Sequence, residues 1–161
     1  MVYKRTQARP IIGQAELRYG FLALAIVLLL LGGMIYVLYR PTSLLLFRWA
    51  ETLQLMPFVH GLRSHAGCPS IWPEWFVYSA PFAFWVTAYQ LVILVIWFAE
   101  RHAGFLIWFW SAPLMAIGSE LLQYPDLVPG VYDAMDMATI LIACLFALVV
   151  ERRTANRRRI S

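Results

Sequence analysis

The stretch Tyr19–Tyr39, YGFLALAIVLLLLGGMIYVLY, contains no charged residue. A run of this length and character matches what a helix needs to cross a bilayer, where about 20 apolar residues span roughly 30 Å of hydrocarbon. Phe76–Ala99, Ala103–Tyr124 and Met137–Val150 repeat the pattern, with Glu120 the one charge among them. The chain is 61% hydrophobic and 14% charged, where a soluble domain has about a quarter of its residues charged. In water, 161 residues could not bury so much apolar surface.

The reading is an all-α polytopic membrane bundle, a single domain over residues 1–161. Its four transmembrane helices run over about 19–39, 76–99, 103–124 and 131–150. The uncharged part of the fourth reaches only about 21 Å at 1.5 Å per residue. That helix must therefore begin near Val131, which draws Asp133 and Asp136 toward the outer edge of the hydrocarbon. The first run starts late and lacks a small-residue cleavage site behind it, so it reads as a retained span. Ser79-Ala80-Pro81 and Ser111 with Pro113 mark kinks, and Gly32-Gly33 marks a weak point or a close approach in the first span. Ala143 and Ala147 form a small-residue seam. Ala112, Ala116 and Ser119 form a similar stripe on the third span, which suggests a tight antiparallel hairpin of spans three and four.

Basic residues set the orientation. Lys4, Arg5, Arg9 and Arg18 precede the first span, Arg101 separates the second and third, and Arg152, Arg153 and Arg157–Arg159 follow the fourth. Four spans put all of these on the cytoplasmic side, so both termini, 1–18 and 151–161, are expected there. The net charge of +4 thus sits at the ends of the chain and is not a nucleic-acid footprint. The external loop, 40–75, is expected to hold an interfacial helix through LLLFRWAETLQLM, capped by Thr42 or Ser43. A lid of turns with His60, Arg63, His65 and Cys68 would follow it. Trp72, Trp75, Phe76 and Tyr78 form an aromatic anchor. Cys68 and Cys144 have no metal-type spacing and are not expected to pair.

The residues that carry chemistry meet at the hairpin between the last two runs. Glu120 and Gln123 are three apart, hence on one helix face, and Asp133 and Asp136 are three apart on the next. Charge in such a setting is costly and is usually functional. Three carboxylates in one partly dry site cannot all ionise cheaply without a cation or a shared proton. Arg63, His60 and His65 are the available cations of the loop. Taken singly, each acid also has a structural reading: Asp133 as an N-cap, Asp136 as a first-turn acid favoured by the helix dipole, and Glu120 reaching the headgroups.

Across GSELLQYPDLVPGVYDAMDMATILIACLFA the chain resembles the VanZ-like membrane proteins of bacteria. Glu120 and Gln123 match the Glu-x-x-Gln of that family, and Asp133 and Asp136 match its two aspartates. Ala143 and Ala147 stand where glycines are usual, Gly130 where an arginine is common, and Ile140 where an asparagine is. The resemblance implies a small envelope protein of the inner membrane, in a family with some members linked to glycopeptide resistance, and it implies no settled reaction. The favoured function is an accessory or binding protein. Glu120, Asp133 and Asp136 would supply charge, and Gln123 and Tyr132 would orient a cation, a cationic envelope molecule or a partner subunit. One alternative is a membrane enzyme acting on a lipid-linked substrate by carboxylate acid–base or metal-assisted chemistry. Another is ion-coupled transport by an oligomer, against which the lack of an internal repeat argues. No cofactor is expected. The expected partners are membrane lipid and an envelope protein or further copies of the chain.

Overall fold

The computed structural model describes residues 12–66, 72–98 and 103–160. Lys4, Arg5, Arg9, Cys68 and Arg101 lie outside them. The described residues are helical with no strand: α1 Ile12–Tyr39, α2 Leu45–Thr52, α3 Met56–His65, α4 Glu74–Tyr78, α5 Ala80–Ile96, α6 Ala103–Gln123 and α7 Ala134–Ile160. Three of them hold stretches long and apolar enough to cross a membrane: Gln14–Tyr39, Ala103–Gln123 and Ala134–Asn156. Their outward faces carry Leu29, Leu30, Ile107, Met115, Ile142 and Leu145, all exposed. An apolar surface on that scale is suited to lipid and not to water.

The run expected as one span over 76–99 is broken. Pro81 has no N–H to donate to the Val77 carbonyl, and the helix ends at Tyr78 and restarts at Ala80. The restarted helix, α5, has 17 residues, about 26 Å, less than the hydrocarbon thickness. It is nevertheless the most enclosed element. Val86, Ala88, Gln90, Leu91 and Leu94 are all buried, and α1, α4, α6 and α7 pack around it. A helix apolar on every face belongs in such a position.

Gly32 is where α1 meets α5. A Cβ built there would lie 2.6 Å from Trp85 Nε1 and 3.1 Å from the Pro81 carbonyl oxygen, whereas one on Gly33 would meet nothing. Of the expected glycine pair, Gly32 is therefore the close-approach site. On α7, Ala143 and Ala147 are buried as the seam required. Ala143 packs with Val86 of α5 and Ala116 of α6, and Ala147 packs with Leu94 of α5 and Phe109 of α6. The expected tight hairpin is thus modified: α7 lies more extensively against α5 than against α6, because the small-residue face is shared between the two.

Pro113 interrupts α6 from within and deprives the Phe109 carbonyl of its helical donor. The fully buried Gln90 of α5 supplies one, its Nε2 donating to Phe109 O at 3.4 Å. One turn away, the Ser111 hydroxyl donates to Trp108 O at 2.8 Å and shares a 2.8 Å bond with the Tyr89 hydroxyl. The carbonyl that the proline opens is thus met by a side-chain amide of the neighbouring helix, whose own oxygen, Gln90 Oε1, is buried without a partner.

The first loop forms two helices where one was expected. Neither Thr42 nor Ser43 caps α2; its N-cap position is Leu44, which makes no side-chain cap bond. The helix ends because Gln54 turns left-handed, φ 57°. The Leu55 N–H then reaches Ala50 O and the Gln54 N–H reaches Glu51 O, the paired bonds of a Schellman stop. Pro57 then opens α3. Arg63 of α3 caps the far end of α1, its Nε donating to Val37 O at 2.8 Å and a terminal nitrogen donating to Arg40 O. These are carbonyls that a helix C-terminus leaves without partners.

Gly32→Ala is expected to destabilise the protein by about 1–3 kcal/mol through overpacking against Trp85. Gly33→Ala is expected to be neutral or to stabilise by up to about 1 kcal/mol. Reversible unfolding in mixed micelles measures both.

Candidate acidic cavity between helices six and seven

The end of α6 is built to turn sharply. Asp126 adopts φ 58°, the Leu127 N–H donates to Leu122 O, and the Asp126 N–H donates to Gln123 O, a second Schellman stop. The Tyr124 and Tyr132 rings then meet edge to face at 5.6 Å and clasp the loop. Gly130, at φ 145°, lies so close under the Gln123 side chain that a Cβ there would meet Gln123 Nε2 at 2.4 Å. The chain re-enters helix at Ala134, three residues later than the length argument required. The helix reaches the length of a candidate span by continuing beyond Val150 into the basic segment, over Ala134–Asn156.

Each acid has a distinct setting. Asp133 is the N-cap of α7: its Oδ1 accepts the Met135 N–H at 2.8 Å, the role its position suggested. Its own N–H donates to Glu120 Oε2 at 3.4 Å, tying the last turn of α6 to the first of α7. Glu120 is only 5% exposed. Asp136, in the first turn, has its Oδ1 buried without a hydrogen-bond partner, while its carbonyl accepts the Thr139 hydroxyl at 2.9 Å.

All five candidate residues line one cavity of about 470 Å³: Glu120, Gln123, Tyr132, Asp133 and Asp136. Ser119 lines it too, with its hydroxyl spent on Ala116 O. Thr139 instead faces an apolar groove between α1, α5 and α7. No three His, Cys, Asp or Glu among the described residues come together closely enough to hold a metal ion. The acids share a chamber without sharing a coordination point.

The cation in this cavity is Arg40, which the sequence reading passed over. Of the three it named, Arg63 is occupied at the end of α1 and stacks on Phe47, 4.8 Å from the ring centroid. His65 is exposed and bonds to Gly61 O at 2.7 Å, and His60 is exposed. Arg40 stands between two rings, 5.5 Å from the centroid of Tyr36 and 4.9 Å from that of Tyr78, and donates to Tyr78 O at 3.4 Å. Its Nε is buried without a partner. Tyr78 and Phe82 complete the wall. One signal was available: Arg40 is the first charge after the first apolar run, and so lies at the same end of the bundle as the hairpin.

Asp133→Ala is expected to cost about 1 kcal/mol through loss of the cap, and Asp133→Asn, which retains a capping oxygen, much less; unfolding in mixed micelles distinguishes them. Compared with known proteins, the chain matches no family model, no curated protein and no solved structure.

Proposed function

We propose that this chain is a VanZ-like protein of the bacterial inner membrane, of accessory or binding type. Its acidic cavity would recognise a cationic group of an envelope molecule or a partner subunit. One observation carries the reading: the carboxylates and amide of the two spaced pairs, Glu120 with Gln123 and Asp133 with Asp136, line a single chamber where two long apolar runs meet, and Glu120 is the one charge within those runs. The capping bond accounts for Asp133 alone. Glu120 is buried with a single long hydrogen bond, and Asp136 keeps an oxygen unengaged. Carboxyl groups set in this way need a proton or a partner, and a cationic guest is such a partner.

In this reading α4 and α5 together serve as the second of four spans. α2 lies in the outer interface, consistent with the exposure of Leu45, Leu46 and Trp49 on it. The cavity then opens on the outer side and both termini are cytoplasmic. In a background with Cys68 and Cys144 replaced by Ser, a cysteine at Asp126 is expected to react with an impermeant maleimide on intact spheroplasts. A cysteine at Asn156 is expected to react only after lysis. The opposite pattern removes the assigned orientation.

Ethanolamine serves as a simple ammonium probe for the site. Its affinity for the purified protein is expected to fall about tenfold or more, at least about 1.4 kcal/mol, in Glu120→Gln and in Asp136→Asn. Calorimetric titration in detergent measures it, and undiminished binding by both variants, correctly folded, removes the reading.

A further inference from the structure

The cavity holds two buried orphans of opposite kind. Arg40 Nε is a donor without an acceptor, and Asp136 Oδ1 is an acceptor without a donor. They line the same chamber, yet neither satisfies the other. A buried polar group left unpaired costs free energy, and more so when charged. A simple cation would satisfy Asp136 while adding to the positive charge at Arg40, and a simple anion would do the reverse. A guest carrying both an N–H-bearing cation and an anionic oxygen matches the two side chains that line the chamber. A quaternary ammonium has no N–H to give Asp136, and among the described residues no three His, Cys, Asp or Glu come close enough to hold a metal ion.

A second feature extends the chamber. An apolar groove of about 370 Å³ runs between α5 and α6, lined by Trp85, Val86, Ala112, Met115 and Ala116. It shares Phe82 and Ser119 with the polar cavity. The two adjoin at those residues, one charged at the hairpin end and the other apolar along the candidate span. That sequence of environments is the profile of an amphiphile with a polar head and a hydrocarbon tail.

We propose that cavity and groove together bind one phospholipid with a primary-ammonium phosphodiester headgroup, of the phosphatidylethanolamine type. The ammonium donates to Asp136 and Glu120. The phosphate accepts from Arg40, which Tyr36 and Tyr78 hold in place. One acyl chain lies in the groove along Ala112 and Ala116. This rests on the cavity being a cation site and adds the anionic half and the tail.

Delipidated protein in detergent is offered phosphatidylethanolamine, phosphatidylcholine or phosphatidylglycerol of identical chains, and retained lipid is counted by native mass spectrometry. Phosphatidylethanolamine is expected to be retained about tenfold better than the other two. Arg40→Gln is expected to abolish that preference and Arg40→Lys to restore part of it, with melting temperatures confirming that both fold. Ala112→Phe, which fills the groove, is expected to weaken retention of the lipid but leave binding of soluble glycerophosphoethanolamine unchanged. If ethanolamine and glycerophosphoethanolamine bind equally well to wild type and to Arg40→Gln, the anionic half is overturned while the cation site stands. If glycerophosphoethanolamine binds as tightly as the lipid and Ala112→Phe changes neither, the lipid is overturned. If no ammonium compound binds, the cation site falls as well.

Discussion

A missing side chain at Gly32 sets the position of everything at the hairpin end of the molecule. With no Cβ there, the Trp85 indole lies against the α1 backbone. Tyr36, one turn on, then meets Trp85 at 5.4 Å between centroids. Arg40, a further turn on, lies over Tyr36 and Tyr78. Residues four apart share a helix face, so Gly32, Tyr36 and Arg40 form a single stripe. A packing contact about 12 Å away along the helix axis is what delivers a guanidinium to the cavity. Phe47 of α2 stacks on the same tyrosine at 6.4 Å, and Arg63 of α3 lies over the Phe47 ring, so α2 and α3 are held by the same row of rings and cations.

The three acids divide between architecture and chemistry. Asp133 has a complete structural explanation, because its side chain starts α7 and its N–H holds α6. Glu120 and Asp136 do not. One is enclosed with little compensation and the other has a wholly unpaired oxygen. Helix starts and tight turns need carboxylates and left-handed residues for reasons unconnected with function, and the hairpin uses Asp126 and Asp133 in this way. What remains after those demands are met is a smaller and sharper set of groups facing a chamber.

The helical character of the chain and its candidate spans could be read from the sequence because lipid imposes a crude, one-dimensional requirement: a long run without charge. The meeting of Glu120, Gln123, Asp133 and Asp136 was also legible, since the intervening loop is short and each pair keeps helical spacing. The division of the second run at Ser79 was only half visible. Pro81 announced a kink, but a proline does not say whether a helix bends or stops. The split of the first loop into α2 and α3 was hidden because Gln54, which makes the left-handed turn, has no strong tendency to do so. Arg40 was missed for a different reason. Tyr78, which it meets, and Phe82 and Asp136, with which it lines the cavity, are far away in sequence, and only the packing of the helices brings them near.

Gln90 has a consequence for how such a protein enters the bilayer. Pro113 leaves a bare carbonyl in the middle of α6, and in hydrocarbon there is no water to occupy it. The amide that answers it belongs to the preceding helix. α6 inserted by itself would carry an open acceptor into the lipid, and α5 by itself an open amide. Beside each other the carbonyl and the amide N–H are paired, and only the Gln90 Oε1 stays buried without a partner. Docking of α5 on α6 thus closes a donor and an acceptor that either helix alone would leave open to an apolar surrounding.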